Sequence, residues 1–250
     1  MSETISAVRA ELIKLRYVRS TFVALVLFAA FSVLVAALDG WSAKNALESH
    51  SPLLRSDFTA QQAGLDGVLY GQLALIVFAV LVVSAEYASG MMRVSLLAVP
   101  LRGRLYAAKL LAAAAVAAGV AVPVTVVSYL VTQAALGSHG ASIGASGVPR
   151  ALAGAVVYLT LMCLFAAGTA SIARSAVVPL AVLLPMVLGG SHLLSLLGLT
   201  KDVVRYFPDQ AGAKMLAVGS DEAFFGFAVM LAWTVVAAVF GYLRHLRWNT

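Results

Sequence analysis

The sequence predicts an all-α integral membrane protein: six transmembrane helices with both termini in the cytoplasm, preceded by an amphipathic helix in the membrane plane. Three observations predict it. Apolar residues make up 62% of the chain and charged residues only 11%, against about 25% charged in soluble domains; a chain of 250 residues has no water-soluble core large enough to hide that surface. The apolar residues fall in long unbroken runs, not in the alternation of β-barrel strands. The basic residues stand at the edges of those runs, where membrane proteins place them. That placement, and not nucleic-acid binding, accounts for the sequence pI near 9.7.

A bilayer core takes about 20 apolar residues in helix, and six runs approach that length: Phe22–Leu38, Val68–Ala85, Leu105–Val131, Leu152–Ile172, Val177–Leu199 and Phe224–Leu243. The second is closed by Glu86 and the third crosses Lys109. The first run reads as a retained span. It starts late and exceeds the core of a signal peptide, although Val35-Ala36-Ala37 imitates a cleavage site. Arg174 separates the fourth run from the fifth.

Orientation follows the distribution of Lys and Arg. With the N-terminus inside, Arg9, Lys14, Arg16, Arg19, Arg93, Arg102, Arg104, Lys109, Arg174, Arg244 and Arg247 are cytoplasmic. Lys44, Arg55, Arg150, Lys201, Arg205 and Lys214 are outside. The acids show the opposite bias. An even number of spans returns the C-terminus to the cytoplasm, and residues 1–250 form a single membrane domain.

The segments between spans differ in kind. In residues 1–20, Ile5, Val8, Leu12 and Leu15 share one helical face. Arg9 and Arg16 flank that face, and Glu11 and Lys14 lie away from it. This is the pattern of an interfacial helix whose basic residues, Arg9, Lys14, Arg16 and Arg19, reach lipid phosphates. Residues 86–104 form a short, basic, amphipathic loop. Gly90 relaxes its backbone, Pro100 ends any helix before it, and Met91, Val94 and Leu97 form an apolar stripe out of place unless it meets lipid or a protein. On the outer side, residues 39–67 are polar, 137–149 are rich in Gly, Ser and Ala, and 200–223 include an apolar stretch, Ala211–Val218, that is too short to span.

No catalytic constellation emerges. His50 and His139 are in outer segments, His245 is in the tail, and His192 alone lies in a span. No His/Cys/Asp/Glu spacing suits a metal, and the lone Cys163 excludes an intrachain disulfide. There is no GxxxxGK[ST] phosphate loop. The spans offer no paired carboxylates or buried bases of the kind a proton-coupled carrier uses. Backbone irregularity is their marked feature: Pro123 in the third, and Pro179, Pro185, Gly189, Gly190, Ser191 and His192 in the fifth. Helix packing and a flexible wall beside a substrate path both fit that pattern.

Three features together resemble a known family. Glu11-Leu-Ile-Lys-Leu-Arg16 with Arg19-Ser-Thr21 is similar to the segment before the first span of membrane-spanning permease subunits in bacterial ATP-binding cassette exporters of the six-span type-2 class. Glu86-Tyr-x-x-Gly90-x-x-Arg93, closed by Pro100-x-Arg102, resembles their cytoplasmic loop after span two. The long outer segment before the last span completes the likeness. Met91 departs from the Thr often found after the loop glycine. The resemblance implies two six-span subunits, identical or related, embedded in lipid. They would bind two separate cytoplasmic ATPase subunits that carry the ATP and Mg, with no cofactor on this chain.

The resemblance further implies that the 86–104 loop is a coupling helix seated in the ATPase, with Glu86, Tyr87, Gly90, Met91, Arg93, Val94, Leu97, Pro100 and Arg102 as contacts. Read by itself, Glu86 also suits a helix cap or a local salt bridge with Arg93 or Arg102. Tyr70, Gln72 and Phe78 on span two and Met186 and His192 on span five would line a path. The cargo would be an amphipathic, drug-like or lipid-like compound leaving across a bacterial plasma membrane. From a different class, a membrane scaffold or sensory anchor would use the same loop as a docking site without transport.

Overall fold

The computed structural model describes residues 2–49, 58–91, 101–196 and 201–246, and the architecture is all-α. Helix α1 (Ser2–Tyr17) precedes α2 (Arg19–Glu48), α3 (Ala60–Ser89), α4 (Arg102–Leu136) and α5 (Val148–Ala173). The next stretch is broken into α6 (Val177–Pro185), a π turn (Met186–Gly190), α7 (Ser191–Leu196), α8 (Lys201–Val204) and α9 (Pro208–Leu216), and α10 (Ala223–Leu246) closes the chain. Five of these, α2, α3, α4, α5 and α10, are long and apolar enough to cross a membrane. Pro123 sits inside α4 without ending it.

The helices overrun the apolar runs that mark them. At 30 residues each, α2 and α3 reach about 45 Å, past a hydrocarbon core of about 30 Å. The segment read as polar between residues 39 and 67 is therefore partly helix. Gly40 and Ala43 stay buried beyond Leu38, because Gly40 lets α2 approach the Thr132 backbone of α4. Thr59 starts α3, its Oγ1 accepting from the Gln62 amide at 3.3 Å.

The fifth run departs most from the single span that its hydropathy suggests. Pro185 lacks an amide and crowds the preceding turn. Gly189 then adopts φ 121°, a conformation costly for any residue with a Cβ. The result is one π turn, in which the Ser191 amide donates to the Met186 carbonyl. The outer apolar stretch that is too short to span falls largely in α9, and it packs into the bundle: Ala211, Gly212, Met215 and Leu216 are buried against α5 and α10.

The most enclosed helices are α3 and α5, with α2, α4, α6 and α10 around them. Small residues set the spacing, as membrane helices require where lipid gives no hydrophobic drive. Gly67 and Gly71 of α3 face Ala36 and Ser32 of α2, and Gly168 of α5 faces Ala237 of α10. Hydroxyls add bonds between helices: Thr132 Oγ1 of α4 donates to the Ala36 carbonyl of α2 at 3.0 Å and Thr234 Oγ1 of α10 to the Leu161 carbonyl of α5 at 3.2 Å.

Helix α1 and the C-terminal turn of α10 lie at one end of the bundle. There Lys109 meets Glu11 and the Arg102 guanidinium donates to the Leu246 carbonyl at 2.9 Å. The chain leaves this basic end at Arg174. It has reached the opposite end by Ser220, whose carbonyl accepts from Arg150 at 2.8 Å, and α10 returns it.

Candidate coupling site

Four charged side chains close a ring at the basic end. Glu11 and Lys14 come from α1, Glu86 from the last turns of α3, and Lys109 from the second turn of α4. Lys109 Nζ lies 2.8 Å from Glu11 Oε2 and 2.7 Å from Glu86 Oε1. Lys14 Nζ lies 2.6 Å from Glu11 Oε1 and 3.3 Å from Glu86 Oε1. Charges alternate around the circuit and sum to zero. Glu11 and Lys109 are each 3% exposed and Glu86 is 8% exposed. Burial of single charges at this depth would be prohibitive, and mutual pairing is what permits it. Burial works against the Glu11 charge, yet the two lysines together hold its carboxyl below the ordinary 4.5. Burial likewise disfavours the charge on Lys14, and the two glutamates outweigh it and raise the amine above 10.5.

This geometry corrects the reading of α1. The helix docks through Ala7 and Glu11, with Leu15 packed on the core, while Ile5 and Ile13 stay exposed. The buried Lys109 needs an acid, and that demand turns the Glu11 side inward. It also changes the local partner expected for Glu86, which is Lys109 and Lys14 among the described residues, not Arg102.

The ring ties down both roots of the 86–104 loop. Four residues after Glu86, Gly90 ends α3 in the left-handed region at φ 72°. Tyr87 Oη shares a hydrogen bond with His245 Nδ1 at 3.2 Å, joining α3 to α10. Met91 is exposed. Arg93, Val94, Leu97 and Pro100 lie outside the described residues, and Arg102 opens α4.

The path candidates on α3 differ in exposure. Tyr70 is exposed, while Gln72, two residues on, is buried. Its Oε1 accepts from Tyr158 Oη at 2.6 Å. Phe78 is enclosed in the core. Met186 lines an apolar crevice of about 430 Å³ with Leu183, Phe207, Pro208 and Trp233. The His192 side chain lies outside the described residues.

The spans read as offering no buried base of the kind a proton-coupled carrier uses, and α4 encloses one, Lys109. Asp209, in α9 outside the long spans, is buried as well: its Oδ1 accepts from Ser191 Oγ at 2.9 Å and its Oδ2 from Gln210 Nε2 at 3.0 Å. The Ser191 bond fastens α9 to the start of α7, while the Gln210 bond lies within α9. Three residues on, Gly212 lies against the ring of Tyr158, about 15 Å along α5 from its first residue. Lys109 was visible in the sequence as a charge interrupting an apolar run, which demands an acid at the same depth. Asp209 gave no such signal, because it sits in a segment polar enough to pass for a loop.

Among the described residues no group of His, Cys, Asp and Glu could hold a metal ion. A search against curated proteins finds no match. The family described as ABC-2 family transporter protein matches residues 7–195, about three quarters of the chain, from α1 through the charged ring to the broken fifth run. Matched over that length, and built as a multi-pass membrane protein with no ATPase motif in its sequence, the chain belongs to the ABC-2 transporter family as a permease component.

Proposed function

We propose that the chain is the force-receiving half-channel of an exporter. It would have six passes, the fifth broken at Gly189, with both termini cytoplasmic and a partner ATPase seated on the 86–104 loop. The observation that carries this is the Glu11–Lys109–Glu86–Lys14 ring. A lever transmits motion only if its ends are rigidly attached. The ring binds the loop's two roots to each other and to the interfacial helix, so a push on the loop moves α1, α3 and α4 together. The placement of both termini at one end supports an even number of passes, and the excess of Lys and Arg at that end supports a cytoplasmic location.

In this reading a second permease chain, identical or related, completes the channel, and ATP and Mg belong to the ATPase. The apolar crevice beside Met186 suits an amphipathic or lipid-like cargo, since its named walls are almost wholly hydrocarbon. The coupling contacts are Glu86, Tyr87, Gly90, Met91, Arg93, Val94, Leu97, Pro100 and Arg102. The test is co-purification with the co-encoded ATPase and its ATP turnover in vesicles. Glu86→Gln combined with Arg93→Gln should uncouple turnover from cargo. If complex formation, turnover and cargo response all stay unchanged, the lever assignment fails. Binding of cytoplasmic proteins without cargo-stimulated turnover would favour the scaffold instead.

A further inference from the structure

A second feature of the basic end is independent of the ring. A crevice of about 440 Å³ opens between the end of α5 and the last turns of α10, lined by Ile172, Arg174, Phe240, Leu243 and Arg244. Its walls divide by chemistry. Ile172, Phe240 and Leu243 are 37, 59 and 43% exposed, and on a membrane helix such a face meets acyl chains. Arg174 and Arg244 supply positive charge where the helices end.

Arg174 is held in place at some cost. It is the one non-glycine residue at positive φ among those described, at φ 54°, and its amide closes α5 by donating to the Ala170 carbonyl at 2.8 Å. Its Nη2 donates to the Arg244 carbonyl, which aims the guanidinium across the crevice. Its Nε is buried and has no hydrogen-bond partner among the described residues. Neither arginine pairs with an acid among those residues, because Glu11 and Glu86 at this end are taken up by the ring. The crevice thus combines two cations that pair with no acid among the described residues and a hydrocarbon floor.

We propose that this crevice binds the headgroup of an anionic phospholipid, its phosphate between Arg174 and Arg244 and its acyl chains along Ile172, Phe240 and Leu243. A free phosphate would satisfy the arginines and leave the floor uncovered, whereas a zwitterionic lipid would cover the floor and bring its own cation to the arginines. Basic clefts between helix ends at a membrane surface are suited to anionic headgroups for this reason.

The full chain, purified in neutral detergent, is to be titrated with dioleoyl phosphatidylglycerol, dioleoyl phosphatidylcholine or inorganic phosphate. Bound lipid is counted by native mass spectrometry, and a photoreactive phosphatidylglycerol locates the contact. We expect phosphatidylglycerol to be retained over phosphatidylcholine and to label peptides spanning residues 172–174 and 240–244. Arg174→Gln and Arg244→Gln should each weaken retention by about fivefold, and inorganic phosphate should not compete. The paired lysine variant, Arg174→Lys with Arg244→Lys, should keep the selectivity, and an unchanged unfolding temperature of the glutamine variants separates their loss of lipid from misfolding. Equal retention of the two lipids, labelling elsewhere, or full selectivity in the double glutamine variant would overturn the assignment. So would a double variant that keeps its lipid and loses the ATPase, which would make the arginines a protein contact.

Discussion

Lys109 is a single charge that determines how three helices meet. Replacing it with Met leaves Glu11 and Glu86 buried with Lys14 as their one remaining partner in the ring, and breaking a buried pair costs about 3–5 kcal/mol. Thermal unfolding in detergent should register that loss. Replacing Glu11, Lys14, Glu86 and Lys109 together with apolar residues should recover much of it, because no uncompensated charge remains.

The pH dependence has a definite sign. Glu11 titrates below its ordinary value in the fold. Its contribution is complete above that value and is lost as pH falls through the lowered one. Lys14 titrates above its ordinary value, so its contribution is complete below that value and lost as pH rises through the raised one. The contribution of the ring should be flat between about pH 6 and 9 and fall on the acid side, and Glu11→Gln should shrink that part of the acid limb. Gly90→Ala tests the loop root separately. A Cβ there meets nothing within 4 Å, so the cost is backbone strain alone, about 1–2 kcal/mol; under the proposed function it should lower cargo-stimulated ATP turnover more than the unfolding temperature.

At the scale of elements, contact between α5 and α10 rests on the absence of a side chain. A Cβ on Gly168 would lie 2.8 Å from the Ala237 carbonyl carbon, and backbone cannot swing aside as a side-chain tip can. Gly168→Val should therefore cost about 1–3 kcal/mol, read as a lowered unfolding midpoint. The broken fifth run depends on the Ser191–Asp209 bond. Ser191→Ala removes a hydrogen bond to a carboxylate, worth about 1.5–3 kcal/mol, and hydrogen exchange across residues 186–196 should speed up. Asp209→Asn keeps an acceptor for Ser191 and should alter that exchange less.

Hydropathy located the long helices because membrane insertion reads the chain in one dimension, about 20 apolar residues at a time. It missed what three-dimensional contact decides. The overrun of α2 past Leu38 comes from Gly40 fitting the Thr132 backbone, which no local pattern announces. The break at Gly189 was visible as Pro and Gly, but those residues permit a break without requiring one. The Glu11 side of α1 looked solvated because helical spacing ranks residues by polarity, and only the neighbouring Lys109 makes an acid the inward residue. The 200–223 segment was too short for a span and too polar for a core. Its burial depends on the groove that α5 and α10 create.

For the whole molecule, α1 belongs to the bundle despite having no transmembrane run. Deleting residues 1–17 removes Glu11 and Lys14 and exposes Lys109 and Glu86. The truncated chain should unfold at a temperature as low as Lys109→Met or lower, and adding Lys109→Met to the truncation should cost little more. Additive losses in that double variant would mean that α1 and Lys109 stabilise the bundle independently.

The ring also bears on how the protein is made. A lysine inside an apolar helix is a poor candidate for entry into lipid by itself. In chain order, however, Glu11 and Glu86 are synthesised before Lys109, so both acids already stand at the membrane when the α4 segment leaves the ribosome. The linear order of the gene thus delivers the counter-charges ahead of the charge, and the third apolar run can be handed from the insertion machinery directly to its neighbours without Lys109 having to reside alone in the bilayer.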